Sequence, residues 1–156
     1  MYKTQAEEVR DWLRAYVQNE AEIDELLNRL RELRARATSV SAQEITDMPR
    51  APSVAHDTLA DYMARLDELE REIEKRVQAH FSSKEAIEQV LSKMESPKQR
   101  KIIQYRYIYG MEWSDVIYQC YHERKDYQLK LRAYSKRVYR DHDRALLEMA
   151  RKWSVK

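Results

Sequence analysis

Residues 5–37 read QAEEVRDWLRAYVQNEAEIDELLNRLRELRARA, and the spacing inside this stretch decides the fold class. Val9, Trp12, Tyr16, Asn19, Ile23, Leu26, Leu30, Leu33 and Ala37 follow one another in alternating steps of three and four without a break. Such steps place every one of these residues on a single stripe of an α-helix, the a/d seam of a coiled coil. Eight of the nine are apolar or aromatic, so 5–37 is predicted to be one long helix. Asn19 is the exception, and a lone polar residue in such a seam sets register or strand number. Two partners satisfy the seam: a second helix of the same chain, or the 9–37 seam of a second copy in a homodimer.

The composition agrees with long helices. The chain has 156 residues with one glycine and three prolines, against averages of roughly 7% and 5%. So few turn formers exclude sandwiches, barrels and glycine-loop nucleotide folds, and leave an all-α class. Cys120 is the only cysteine, which excludes a disulfide framework or a CxxC zinc site and fits a reducing cytoplasm. The start, MYKTQAEEVRDW, has no apolar signal region, and no stretch approaches a membrane span. The expected location is cytoplasmic, with no membrane partner.

Working outward from the seam, TSVSAQEITDMPRAPS at 38–53 breaks the pattern with Pro49 and Pro52 and reads as a linker. A second helix is expected from about Asp57 to His80, with Leu59, Tyr62, Leu66, Leu69 and Ile73 as its seam and a charged outer face. Two seams of similar length predict an N-terminal helical hairpin, coiled-coil-like, over residues 1–80. Ser82-Ser83-Lys84-Glu85 has the form of a capping box opening a short helix with Ile87, Val90, Leu91 and Met94 inward. Ser96-Pro97-Lys98-Gln99 repeats the signal, and that helix is expected to end at Gly110. Residues 81–156 form the predicted C-terminal domain.

Charge divides along the same boundaries. Residues 1–37 hold seven basic and eight acidic side chains, 38–96 seven and twelve, and 97–156 fifteen and seven. The overall net charge of +2 thus conceals an acidic front and a basic C-terminal third, the asymmetry of a chain that meets a polyanion. The last helix is expected to start with Ser135 as its N-cap and run to about Trp153. Val138, His142, Ala145, Leu146, Met149 and Trp153 fall in one sector of it. Arg137, Arg140, Arg144 and Arg151 fall opposite, with Lys136 at the edge. Guanidinium forks suit phosphate oxygens and the guanine edge, so this face is the candidate DNA reader. Eight of the eleven tyrosines lie between 105 and 139, as core fillers with hydroxyls at the rim or as stacking platforms. Tyr139, next to Arg140, is the tyrosine best placed for a phosphate or base.

The segment Arg106-Tyr107-Ile108-Tyr109-Gly110-Met111-Glu112-Trp113-Ser114-Asp115-Val116, followed by Tyr134-Ser135-Lys136-Arg137-Val138-Tyr139-Arg140-Asp141-His142-Asp143-Arg144-Ala145-Leu146, resembles the phage late-transcription regulators of the RinA/ArpU type, found in prophages of Gram-positive bacteria. Those proteins are similar to region 4 of sigma-70 factors, a helix-turn-helix module. Arg106-Tyr107, Gly110, Trp113, Tyr134-Ser135, His142 and Ala145-Leu146 match the family's pattern, and the resemblance extends over most of residues 26–150. It implies a C-terminal helix-turn-helix domain with a recognition helix at 135–152 in the major groove, braced by Trp113 and the helix after it. Ser135 would then cap that helix and bond a phosphate, with Lys136, Arg137 and Arg140 as groove contacts. His142, on the core side, reads as packing. Between Trp113 and Ser135 the chain has 21 residues, roughly a dozen more than a compact helix-turn-helix uses. Arg124, Lys125, Lys130 and Arg132 in that extra stretch either touch a DNA backbone or are solvated.

No catalytic constellation stands out. His56, His80, His122 and His142 are at least 20 residues apart and form neither HxxxH nor HExxH. A single glycine leaves no Walker motif, and no cofactor or metal is expected. The expected function is that of a sequence-specific DNA-binding transcription regulator, a phage or prophage late-gene activator working in a bacterial cytoplasm. Its site residues are Ser135, Lys136, Arg137, Tyr139, Arg140 and Arg144, and its expected partners are double-stranded DNA and, through the acidic front, host RNA polymerase. The alternatives are a coiled-coil interaction adaptor and a DNA-recognition subunit of a phage packaging machine.

Overall fold

The computed structural model describes residues 4–44 and 52–153; these form helices joined by short turns, with no strand among them. Five α-helices follow in order: α1 Gln5–Glu44, α2 Pro52–Ser92, α3 Pro97–Ile103, α4 Trp113–Tyr121 and α5 Leu131–Trp153. A single π-helical turn, Gln104–Ile108, prolongs α3.

The first two helices are longer than the sequence pattern predicts. The expected linker at 38–53 is helical at 38–44 and again from Pro52, and its remainder, 45–51, lies outside the described residues. Thr38 lies within α1, and its hydroxyl donates to the Arg34 carbonyl at 2.9 Å, one turn back. Pro52 begins α2 at a position where a helix needs no N–H from it. The helix break expected at Ser82-Ser83 is also absent. α2 runs through it, since serine costs a helix interior only tenths of a kcal/mol and no glycine or proline intervenes.

The described residues fall into two compact units, 19–44 with 52–81, and 4–18 with 82–153. Residues 4–18 thus belong with the unit of 82–153 and not with the helical pair.

The unit of residues 19–81 is an antiparallel pair of helices. Leu26, Leu30 and Ala37 of α1 are buried against Leu66 and Ile73 of α2, with Leu27, Leu33, Tyr62 and Leu69 packed around them. Glu22 pairs with Arg76 at 2.5 Å and Arg34 with Glu70 at 2.8 Å, so the later residue of α1 meets the earlier residue of α2. Asn19 lies 3.5 Å from Nδ1 of His80 in the same register. Of the two partners open to the seam, the chain's own second helix covers it here. From Asn19 onward the seam packs within the chain as a hairpin.

In the other unit, Val9, Leu13 and Tyr16 of α1 are buried with Ile87, Val90, Leu91 and Met94 around the end of α2. Ile103 and Tyr107, and Ala145, Leu146, Met149 and Ala150 of α5, complete that core. A second cluster joins Ile102, Val116, Ile117 and Tyr121 to Tyr134 and Val138 of α5. Fully burying one such aliphatic side chain is worth roughly 1.5–3 kcal/mol, so α5, anchored in both clusters, is fixed in rotation and in place. Ser96 caps α3 by accepting from the Gln99 N–H, with Pro97 at the first helical position, as its sequence predicts. Gly110, at φ +65°, ends the π-helical turn in the left-handed conformation its residue type suggests.

Candidate nucleic-acid interface

α5 begins four residues before the predicted start. Ser135 is not a cap: it lies inside the helix, and its hydroxyl donates to the Leu131 carbonyl at 2.8 Å. Leu131, Arg132 and Ala133 are good helix formers and carry the helix back over the expected boundary. Ser135 is half-buried, so of the expected site residues it is the least available to a partner.

The helix divides as its periodicity dictates. Tyr134, Val138, His142, Ala145, Leu146, Met149 and Ala150 are buried. Lys136, Arg137, Tyr139, Arg140, Arg144 and Arg151 are all exposed. Arg137, Arg140, Arg144 and Arg151 share one stripe whose ends are about 21 Å apart at 1.5 Å per residue. Trp153 departs from its expected place in the core. It is 37% exposed and stacks on Trp12 with ring centroids 4.4 Å apart.

Electrostatics favours the row. Three acidic residues border it: Glu148, between Arg144 and Arg151, accepts from the Glu95 N–H at 2.6 Å, and the other two are each engaged by a cation from elsewhere in the unit. Asp141 pairs with Lys98 at 3.1 Å, and Asp143 with Arg10 at 3.3 Å. Arg144 reaches Asp141 only at 4.0 Å. Arg137 sits 5.8 Å over the Tyr134 ring, an arrangement that orients a guanidinium while leaving its charge. Lys136, Arg140 and Arg151 have no ion pair among the described residues. An exposed cation is weakly paired at best, but four guanidinium groups in one stripe outnumber the one carboxylate among them, Glu148, and make a predominantly basic ridge.

A buried aromatic cluster supports the ridge from behind. His142 is 6% exposed, and its Nε2 lies 2.9 Å from the Tyr107 hydroxyl. Trp113, the first residue of α4, meets the His142 ring edge-on at 4.9 Å and the Tyr139 ring at 5.0 Å. Arg106 lies 5.0 Å over the Trp113 ring and donates to the Met111 carbonyl at 2.8 Å. Trp113 thus braces α5 at two positions one turn apart, and His142 is a packing residue. Burial pushes the His142 imidazole down to about 4, although Asp143 pulls the other way, so it is neutral in ordinary buffers. Neutral, with Nδ1 on the Asp143 side, its Nε2 accepts from the Tyr107 hydroxyl.

The tyrosines divide between the two roles that their clustering allows. Tyr107, Tyr121 and Tyr134 are buried, Tyr105 and Tyr127 half-buried, and Tyr109, Tyr118 and Tyr139 exposed. Tyr139 is thus an exposed ring held by Trp113, on the flank of the arginine stripe. Cys120 is half-buried beside the second core cluster, and burial pushes its thiol up, away from the reactive thiolate.

Sequence reasoning missed Leu13, the Lys98–Asp141 pair and the start of α5. Leu13 and Trp12 fit three–four spacing from Val9 to Tyr16 equally well, and only packing distinguishes them. Among the described residues no group of three His, Cys, Asp or Glu is placed to hold a metal ion, and no helix is long and apolar enough to cross a membrane. No known protein family, no curated protein and no solved structure matches the chain.

Proposed function

We propose that this protein is a sequence-specific, double-stranded-DNA-binding transcription regulator that reads the major groove with α5. The observation that carries the reading is the exposed stripe of Arg137, Arg140, Arg144 and Arg151, with Asp141 and Asp143 tied to Lys98 and Arg10. A helix fixed by two cores and charged along its outer face has the rigidity and charge that groove recognition requires. The order α3, turn at Gly110, α4, turn, α5 supports a helix-turn-helix of the sigma-70 region 4 type. With the resemblance of residues 106–116 and 134–146, it favours a late-gene regulator of the RinA/ArpU type, acting in a bacterial cytoplasm.

Lys136, Arg137, Arg140 and Tyr139 are the proposed contacts near the helix start, with Arg144 reaching the backbone further along. Ser135 contributes through its place in the helix. Residues 19–81 carry nine basic and fourteen acidic side chains, and this acidic hairpin is the proposed surface for host RNA polymerase.

Recovery of bound fragments from the sheared source genome tests the reading. Enrichment of promoter-bearing fragments that share a motif is expected. Enrichment confined to a packaging start assigns the same helix to a packaging subunit, and no enrichment over input sinks the DNA-binding reading.

A further inference from the structure

The connection between α4 and α5 is built to stay put. Residues 122–130 fold into consecutive tight turns, with Arg124 N–H bonded to the Tyr121 carbonyl and Tyr127 N–H to the Arg124 carbonyl, both at 3.0 Å. Lys130 N–H bonds the Asp126 carbonyl at 2.9 Å and Tyr134 N–H the Lys130 carbonyl at 3.0 Å, which leads directly into α5. Side chains anchor the same turn to that helix. The Tyr127 ring packs nearly parallel to Tyr134 at 6.3 Å and edge-on to Tyr118 at 6.0 Å. The Tyr134 hydroxyl donates to Asp126 at 2.5 Å, and Lys130 pairs with the same carboxylate at 3.1 Å.

Asp126, the acid at the middle of the turn, is thereby neutralised, and the charge that points outward is basic. Arg124, Lys125 and Arg132 are exposed and have no ion pair among the described residues, with Glu123 as the one acid opposing them. Arg132 precedes Lys136 by four residues, so the two share a side of α5 and join the turn to the helix face. Leu129 stands in the same turn at 90% exposure, the most exposed large apolar side chain of the described residues.

We propose that the 122–130 turn, with Arg132, is a second DNA-contacting element. Arg124, Lys125 and Arg132 hold backbone phosphates beside the groove that α5 enters, and Leu129 covers the apolar face of the adjoining deoxyriboses. The proposal rests on the DNA-binding reading of α5, because whatever immediately precedes a helix whose start enters the groove lies at the duplex surface. A turn already ordered by aromatic packing loses little freedom on binding, so few contacts suffice to make it count. Phosphate contacts orient the protein without reading sequence, while α5 supplies the reading.

The salt dependence of binding tests this. Each phosphate contact steepens the slope of log affinity against log salt by about 0.9 on duplex DNA, over roughly 50–200 mM salt. A fluorescein-labelled duplex of random sequence, about 30 base pairs long, is titrated with the full chain by anisotropy across that range. R124A/K125A is expected to flatten the slope by about 2 relative to the unsubstituted protein, without changing the motif selected from a random pool. The charge-matched control K84A/K93A, on α2, leaves the slope within about 0.5. L129A weakens binding severalfold at unchanged slope, because an apolar contact releases no counterion. A slope for R124A/K125A no flatter than the control overturns the proposal, and unchanged affinity for L129A removes Leu129 from the contact. If R137A/R140A weakens binding while R124A/K125A does nothing, only the turn is dismissed. If the unsubstituted protein shows no salt-dependent binding to the duplex, the reading of α5 fails as well.

Discussion

The Tyr107 hydroxyl lies 2.9 Å from Nε2 of His142, joining the π-helical turn after α3 to the middle of α5 from inside the protein. The rings themselves are 5.8 Å apart and tilted by only 26°, and the Trp113 indole closes the other side of the imidazole at 4.9 Å. Three aromatic groups from three elements thus meet on the inward face of the helix whose outward face carries Arg140 and Arg144. The position of the arginine stripe therefore depends on a buried, neutral histidine.

That histidine makes stability depend on pH. Burial, partly offset by Asp143, holds its folded pKa at about 4, below the ordinary 6.5. Between these values the unfolded chain takes up a proton that the folded chain does not, so stability rises with pH and is lost as pH falls from 6.5 towards 4. The loss amounts to roughly 3 kcal/mol at full protonation. Urea unfolding at a series of pH values measures it. H142Q keeps an acceptor for Tyr107 and removes the titration, so its stability is expected to be flat over this window. A slope that persists in H142Q assigns the effect to another group.

Leu13 is fully buried in the C-terminal unit although it lies near the start of the chain. L13A is expected to cost about 2–5 kcal/mol, the range for a buried leucine whose cavity does not collapse. For the same reason a fragment of residues 81–156 lacks Val9, Leu13 and Tyr16 from its core and should show no cooperative thermal transition by circular dichroism. A sharp transition in that fragment would place the first helix outside the folding unit.

Gly110 has φ +65°, and a Cβ built there meets nothing within 4 Å. The cost of G110A is therefore the left-handed backbone alone, about 1–2 kcal/mol. Asparagine tolerates that conformation better, so G110N should lose less than G110A in urea midpoint. Equal losses for the two would contradict the backbone account.

Arg137 and Arg140 are exposed on the α5 stripe, one turn apart. Substituting either with alanine should weaken binding to the selected motif by roughly 1–3 kcal/mol and relax preference at one base position if the fork holds a guanine. Affinity unchanged across salt concentrations in both variants would show that another surface reads the DNA.

Asn19 faces His80 of its own chain at 3.5 Å, so its polarity serves the closed hairpin. N19L should leave the sedimentation profile unchanged and shift the thermal midpoint only slightly. A change of association state would return the seam to an intermolecular role.

Much of this molecule is legible in a line of letters. Alternating three- and four-residue steps from Val9 to Ala37 and from Leu59 to Ile73 specify long helices, because 3.6 residues per turn leaves no other way to align those side chains. Ser96-Pro97 and Gly110 mark a helix start and stop through chemistry confined to a few neighbouring residues. The division of α5 into an apolar face and a basic face follows from the same periodicity, so Lys136, Arg137, Arg140 and Arg144 were identifiable without coordinates. Ser135 is ambiguous in sequence because a serine before a helical run suits a cap and a helix interior alike, and its bond to the Leu131 carbonyl decides between them.

Tertiary structure decided what a helix stripe leaves open, namely which partner covers it. Periodicity names a face but no occupant, and residues far apart in sequence supply the occupants. Leu66 and Ile73 close the seam over Leu26 and Leu30, whereas Met149 and Ile87 close it over Val9 and Leu13. The same long helix therefore serves two cores, and no local signal marks the change near Gln18. The charge on α5 is likewise a matter of distant pairs. Arg10 pairs with Asp143 and Lys98 with Asp141, and only folding brings each of these pairs together.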